Sequence, residues 1–134
     1  MFNEDKLTDA KTASNVNPIV LAFLGDAVYT LYVRENLVLS GDRKSGKMNE
    51  LAVGKVNAVS QAKFMRSILP LLNEDELAVF KRARNVKKTS KSKNAPVVDY
   101  NISTGFEAVI GYLYLTGNTE RLKFLLHKGE ESES

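Results

Sequence analysis

Apolar positions along this chain recur at the three-and-four spacing of helices and nowhere keep the alternating rhythm of a half-buried strand, so the pattern predicts an all-α fold. Asn17 followed by Pro18 places a capping side chain before a residue whose fixed φ suits a first turn, and Gly41 offers a stop; together they predict a helix of about 22 residues. A second helical segment is expected from Met48 to Leu69, apolar at Leu51, Val56, Val59, Phe64, Ile68 and Leu69, weakened at Gly54 and closed by Pro70. In NEDELAVFKRARN, residues 73–85, Asn73 and Glu76 stand at capping-box spacing, and an acidic first turn and basic last turn both suit the helix dipole. From Val86 to about Asn101 the chain is rich in Lys, Ser and Asn around Pro96, which predicts a long exposed loop. Ile102 or Ser103 then opens a helix ending near Gly117, and Asn118 caps a last one with Leu122, Leu125 and Leu126 inward. No repeat of solenoid period is present.

The stretch IVLAFLGDAVYTLYV, residues 19–33, is apolar on nearly every side except at Asp26. A carboxylate buried among core residues costs several kcal/mol unless a cation or a hydrogen-bond network answers it. A Lys or Arg from another element, or a divalent metal, must therefore face Asp26. The pattern recurs: DAVYTLYV at 26–33 and EAVIGYLYL at 107–115 each carry an acid, then Ala-Val, then apolar residues with tyrosines. Gly25 and Ala27 flank the first acid, and Gly105, Ala108 and Gly111 surround the second; small residues let two helices approach closely enough to bring Asp26 and Glu107 to one spot. Two carboxylates meeting there leave either one protonated or a cation between them. Oxygen-only ligands suit Mg2+, with Mn2+ a substitute. Salt-bridged structural acids and a metal site both remain open on this pattern.

Composition narrows the chemistry. The 134 residues suit one domain with a substantial core. The absence of cysteine removes disulfides, thiolate metal sites and Cys nucleophiles, and a single histidine, His127, leaves no basis for a serine-protease-like triad or a multi-histidine zinc site. Carboxylates must carry any catalysis. No apolar run approaches the roughly 18 residues of a membrane span, and with a polar N-terminus this reads as a cytoplasmic protein with no membrane partner. The net charge of +3 is unevenly spread: KRARNVKKTSKSK at 81–93 contains no acid, whereas the last six residues, GEESES, are acidic. The expected organisation is an extension over 1–16, a helical domain over 17–128 interrupted by the basic loop at about 86–101, and an acidic tail over 129–134.

AFLGDAVYTLYVR at 22–34 closely resembles the signature helix of the ribonuclease III family, and STGFEAVIGYLYL at 103–115 resembles that family's second acidic helix. With KRARN and VNAVSQA (56–62), the chain resembles the short Mini-ribonuclease III branch, which has the endonuclease domain without a double-stranded-RNA-binding domain. The resemblance spans residues 17 to about 127. It implies a two-fold dimeric, Mg2+-dependent endoribonuclease that cuts both strands of double-stranded RNA, with Asp26 and Glu107 as catalytic metal ligands. The family usually has a glutamate four residues before that aspartate, where Ala22 stands here, and an aspartate three residues before the glutamate, where Thr104 stands. Half of the usual carboxylate cluster is therefore missing. Water and RNA phosphate oxygens must complete the metal's shell, and metal is expected to bind firmly only with substrate. Thr104 could hold a bound water, and Asp99 is a candidate for an outer acid.

Arg82, Arg84, Lys87, Lys88, Lys91 and Lys93 are expected to clamp the duplex backbone, with Lys44, Lys47 and Lys63 in a secondary role. VNAVSQA reads first as core packing, with Asn57, Ser60 and Gln61 as secondary candidate RNA or dimer contacts, and Tyr29, Tyr32, Tyr112 and Tyr114 read as core or interface. The resemblance makes the signature helix the dimer interface, so that two sites face one duplex. It implies maturation of a large ribosomal RNA precursor (23S), and leaves a ribosomal-protein helper open. The competing readings are a catalytically silent double-stranded-RNA-binding protein of the same fold, and a helical dimer whose acids are merely salt-bridged.

Overall fold

The computed structural model describes residues 7–86 and 96–133, and every regular element among them is helical. In chain order these are α1 (Ala10–Ser14), α2 (Pro18–Leu39), α3 (Ser45–Lys55), α4 (Ala58–Ile68), a 3-10 turn (Leu69–Leu71), α5 (Glu74–Asn85), α6 (Val97–Leu115) and α7 (Thr119–Glu133). No helix among the described residues is long and apolar enough to cross a membrane.

Local chemistry sets most boundaries. The Asn17 side chain accepts from the Ile19 N–H with Pro18 at the first turn, and Gly41, at φ 137°, follows the end of α2. At α5 both halves of the capping box form: Asn73 accepts from the Glu76 N–H, and Glu76 accepts from the Asn73 N–H. Glu76 is 1% exposed, and Arg121 of α7 donates to both its oxygens at 2.8 Å, so this buried acid is neutralised as well as used as a cap.

Four expectations need correction. The Met48–Leu69 segment is two helices, because Asn57 leaves the helical region at φ −151° and its side chain caps α4 by accepting from the Ser60 N–H, while its amide donates to the Val53 carbonyl and ends α3. Of the loop expected over 86–101, residues 87–95 lie outside the described residues and the end is helical: α6 begins at Val97, immediately after Pro96, and includes Asp99 and Asn101. The acidic residues 130–133 continue α7, with Glu130 accepting from the Tyr32 hydroxyl at 2.6 Å and Glu133 paired with Lys55. The extension also contains structure, since α1 buries Ala13 and the Leu7 and Thr8 N–H groups donate to the Leu115 carbonyl.

Helix α6 is the hub. It packs most extensively on α2 and also contacts α1, α4, α5 and α7, and it is the most fully buried element. The core beneath the α2–α6 crossing is aromatic: the Tyr29 ring meets Phe106 edge-on at 4.9 Å, and Phe64 lies 5.4 Å from Phe106. Such edge-to-face pairs add roughly 0.5–1.5 kcal/mol beyond their area.

Candidate functional site

The crossing of α2 over α6 is glycine against backbone. A Cβ at Gly25 would lie 1.7 Å from the Glu107 carbonyl oxygen, and one at Gly111 would lie 2.1 Å from the Leu21 carbonyl oxygen. The two helices therefore touch main chain to main chain at the positions of the two acids. Gly105, by contrast, opens to the Phe80 ring of α5.

This contact brings Asp26 and Glu107 into hydrogen-bonding reach of each other. Burial first, then the hydrogen bond and negative charge of Asp26, push the Glu107 carboxyl up to about 8 from its ordinary 4.5. No Lys or Arg among the described residues pairs with either acid; Lys47, Lys55, Arg66, Arg121 and Lys128 form ion pairs with other carboxylates. Among the described residues the site is a convergent acid pair without a counter-ion. Its oxygen donors fit a hard divalent cation, which would take the place of the shared proton. Among the described residues no group of three or more His, Cys, Asp or Glu stands together in a metal-holding arrangement.

One expectation about Asp26 is corrected. It is exposed rather than buried in core, because the flank of α2 that carries it faces outward, with Ile19, Val20 and Phe23 also exposed, Phe23 by 82%. Glu107 is the half-buried member of the pair.

The other sequence-derived residues distribute unevenly. Thr104 is buried and its hydroxyl donates to the Tyr100 carbonyl at 3.0 Å, which leaves its lone pairs rather than its hydrogen for a water. Asp99 lies two helical turns before Glu107, about 12 Å along the axis at 1.5 Å per residue, and is held by Arg66 of α4 at 2.8 Å. It is not brought to the acid pair. Lys63 is exposed on α4 and lines a shallow cleft with Glu50, Lys55, Ser60 and Glu133. Arg82 donates to the Ser14 carbonyl and ties α5 to the end of α1, while Arg84 lies 5.4 Å over the Phe80 ring and donates to Asn85. Lys87, Lys88, Lys91 and Lys93 lie outside the described residues.

Gln61, in a segment that reads first as core packing, is 3% exposed. Its amide donates to the Ser103 hydroxyl at 3.2 Å and stands in hydrogen-bonding reach of Glu107, whose charged form it favours. The signal that could have placed it was an amide on the inward face of an amphipathic helix, at spacing three from Phe64.

Residues 19–118 match the ribonuclease III domain family. The chain is similar to Mini-ribonuclease 3 of Streptococcus pneumoniae, 47% identical over 113 residues and covering 83% of this chain and 88% of that protein. It is also similar to Mini-ribonuclease 3 of Brevibacillus brevis, 48% identical over 106 residues and covering 79% of each. A crystal structure of a Fusobacterium nucleatum protein shares the fold at a TM-score of 0.79 and 30% identity, covering 90% of this chain and 96% of that one.

Proposed function

Since this chain belongs to the ribonuclease III domain family and is an endoribonuclease of double-stranded RNA, we propose that it cuts its substrate with Mg2+ held between Asp26 and Glu107. The observation that carries this reading is the convergence of those two carboxylates at the α2–α6 crossing, with no cation among the described residues paired to them. A divalent ion bound there supplies Lewis-acid polarisation of the scissile phosphate and a water of lowered pKa. Asp26 and Glu107 give oxygen ligands from two different helices, fixed relative to one another by the glycine contact, so the site is set by backbone packing rather than by flexible loops. The exposed position of Asp26 leaves the pair open to a duplex too wide to enter a cavity. Mn2+ would be accepted by the same donors.

The remaining assignments belong to the same reading. Lys87, Lys88, Lys91 and Lys93, next in sequence to the Glu107 helix, hold the phosphate backbone. Ile19, Val20 and Phe23 form an apolar face beside Asp26 that a second copy covers, so that a two-fold dimer presents one acid pair to each strand. The natural substrate is a duplex in a large ribosomal RNA precursor, and the protein works in the cytoplasm.

Incubation of the purified protein with a perfect RNA duplex, with and without Mg2+, tests this. Mg2+-dependent cuts that disappear in Asp26→Asn and Glu107→Gln are expected. Retained binding with no cuts in the unaltered protein would overturn the catalytic reading in favour of a silent RNA binder.

A further inference from the structure

Gln61 occupies a place where a leucine would pack with less penalty. It is almost fully buried on the inner face of α4, and burying an amide without partners is unfavourable. Its partners explain its presence. One is the Ser103 hydroxyl at 3.2 Å, and the other is the Glu107 carboxyl; Ser103 and Glu107 are four residues apart and so share one face of α6. An amide nitrogen carries two hydrogens, one for each of these acceptors.

The base from which Gln61 reaches is itself fixed. Asn57 caps the first turn of α4 from both sides, accepting from the Ser60 N–H and donating to the Val53 carbonyl, and the Ser60 hydroxyl donates to the Gly54 carbonyl at 2.8 Å. Gln61 follows directly, so its side chain projects from a turn that these bonds fix.

We infer that Gln61 is a positioning residue for the metal-binding carboxylate: its amide, braced on Ser103, holds Glu107 in the rotamer that points its free oxygen at Asp26. This rests on the reading that Asp26 and Glu107 hold the divalent ion. A ligating carboxylate commonly needs such an outer donor to fix it, and loss of one costs about 10- to 100-fold in metal affinity or activity. Here the need is sharper, because the family's usual neighbouring acids are replaced by Ala22 and Thr104 and only two carboxylates remain. A neutral donor orients Glu107 without adding negative charge to a pair that already repels.

The test uses the full chain with Mn2+ as the probe. Mn2+ affinity is measured by electron paramagnetic resonance, on the protein alone and with a short RNA duplex bound, for the wild type, Gln61→Met, Ser103→Ala and Glu107→Gln, with melting curves to confirm folding. Methionine keeps the length and fills the space while removing the donors. Gln61→Met is expected to weaken Mn2+ binding about tenfold, and cleavage by this variant is expected to recover to near the wild-type rate when Mn2+ is raised to saturation. A folded Gln61→Met protein with wild-type Mn2+ affinity overturns the inference, since a residue that merely fills the core would shift only the melting temperature. Should that variant fail to fold, Ser103→Ala decides: weaker binding by a few-fold supports the brace, and unchanged binding overturns it. Unchanged Mn2+ affinity in Glu107→Gln is a different result, because it removes the carboxylate reading itself.

Discussion

Gly25 and Glu107 meet backbone to backbone: the space a Cβ would need at Gly25 is already taken by the Glu107 carbonyl, 1.7 Å away. Main-chain atoms cannot rotate aside as a side chain can, so the only relief is separation of α2 from α6. Gly25→Ala is expected to cost about 3 kcal/mol or more, at the upper end of overpacking penalties, and to pull Asp26 away from Glu107. Gly54→Ala is the contrasting change. Nothing stands within 4 Å of its Cβ position, it lies in α3 with no positive φ, and alanine there should stabilise by roughly 0.5–1 kcal/mol. Denaturant melts of the two variants check both signs.

The raised pKa of Glu107 makes the stability of the metal-free protein depend on pH. Its folded value of about 8 lies above the ordinary 4.5, so the folded state keeps a proton that the unfolded state releases. The stabilisation from that proton is complete below about pH 4.5 and disappears as pH climbs through the folded value. In EDTA, the melting temperature of the wild type should fall relative to Glu107→Gln between about pH 5 and pH 8.5, and Mg2+ should restore more of it at the higher pH. Parallel melting profiles for the two proteins would contradict this.

Arg121 has a structural rather than catalytic duty. It donates to both oxygens of Glu76 and to the Leu71 carbonyl, and Glu76 is buried. Removal of the guanidinium leaves a buried carboxylate without its cation, so Arg121→Ala should destabilise by roughly 3 kcal/mol. The double variant with Glu76→Gln should recover part of that loss, and Mn2+ affinity of the folded fraction should not change.

Phosphate contacts are read through salt. Replacing Lys87, Lys88 and Lys91 together with alanine should reduce the slope of log affinity for duplex RNA against log salt by about two to three, roughly one per lost phosphate contact. An unchanged slope would show that these lysines are bystanders. Arg82→Ala should behave differently, lowering the melting temperature by freeing the end of α1 while leaving that slope nearly intact.

Much of this molecule follows from local chemistry. Asn17 with Pro18, Asn73 with Glu76, and Gly41 past the end of α2 mark helix ends because capping and backbone freedom depend on a few adjacent residues. The acid pair was legible for a related reason: two acids, each set among small residues on an apolar helix, are rare enough that the shared pattern pointed to one crossing, and Gly25 and Gly111 make that crossing. The family resemblance was legible in the same motifs. The break at Asn57 and the early start of α6 at Val97 were harder, since Asn caps a helix only when the chain geometry before it permits and a Lys- and Ser-rich composition masks a helix start.

Sequence alone therefore determined most of the helices, their main caps and the small-residue patches that bring Asp26 and Glu107 together, all of which are encoded within a turn or two of chain. Which flank of the nearly all-apolar α2 meets solvent was decided only by packing, and so Asp26 and Phe23 emerged exposed. The tertiary structure also decided the long-range partners, Gln61 with Glu107, Arg66 with Asp99, and Arg121 with Glu76, because a side chain's hydrogen-bond partner across 30 or more residues depends on how helices cross, which no local spacing records.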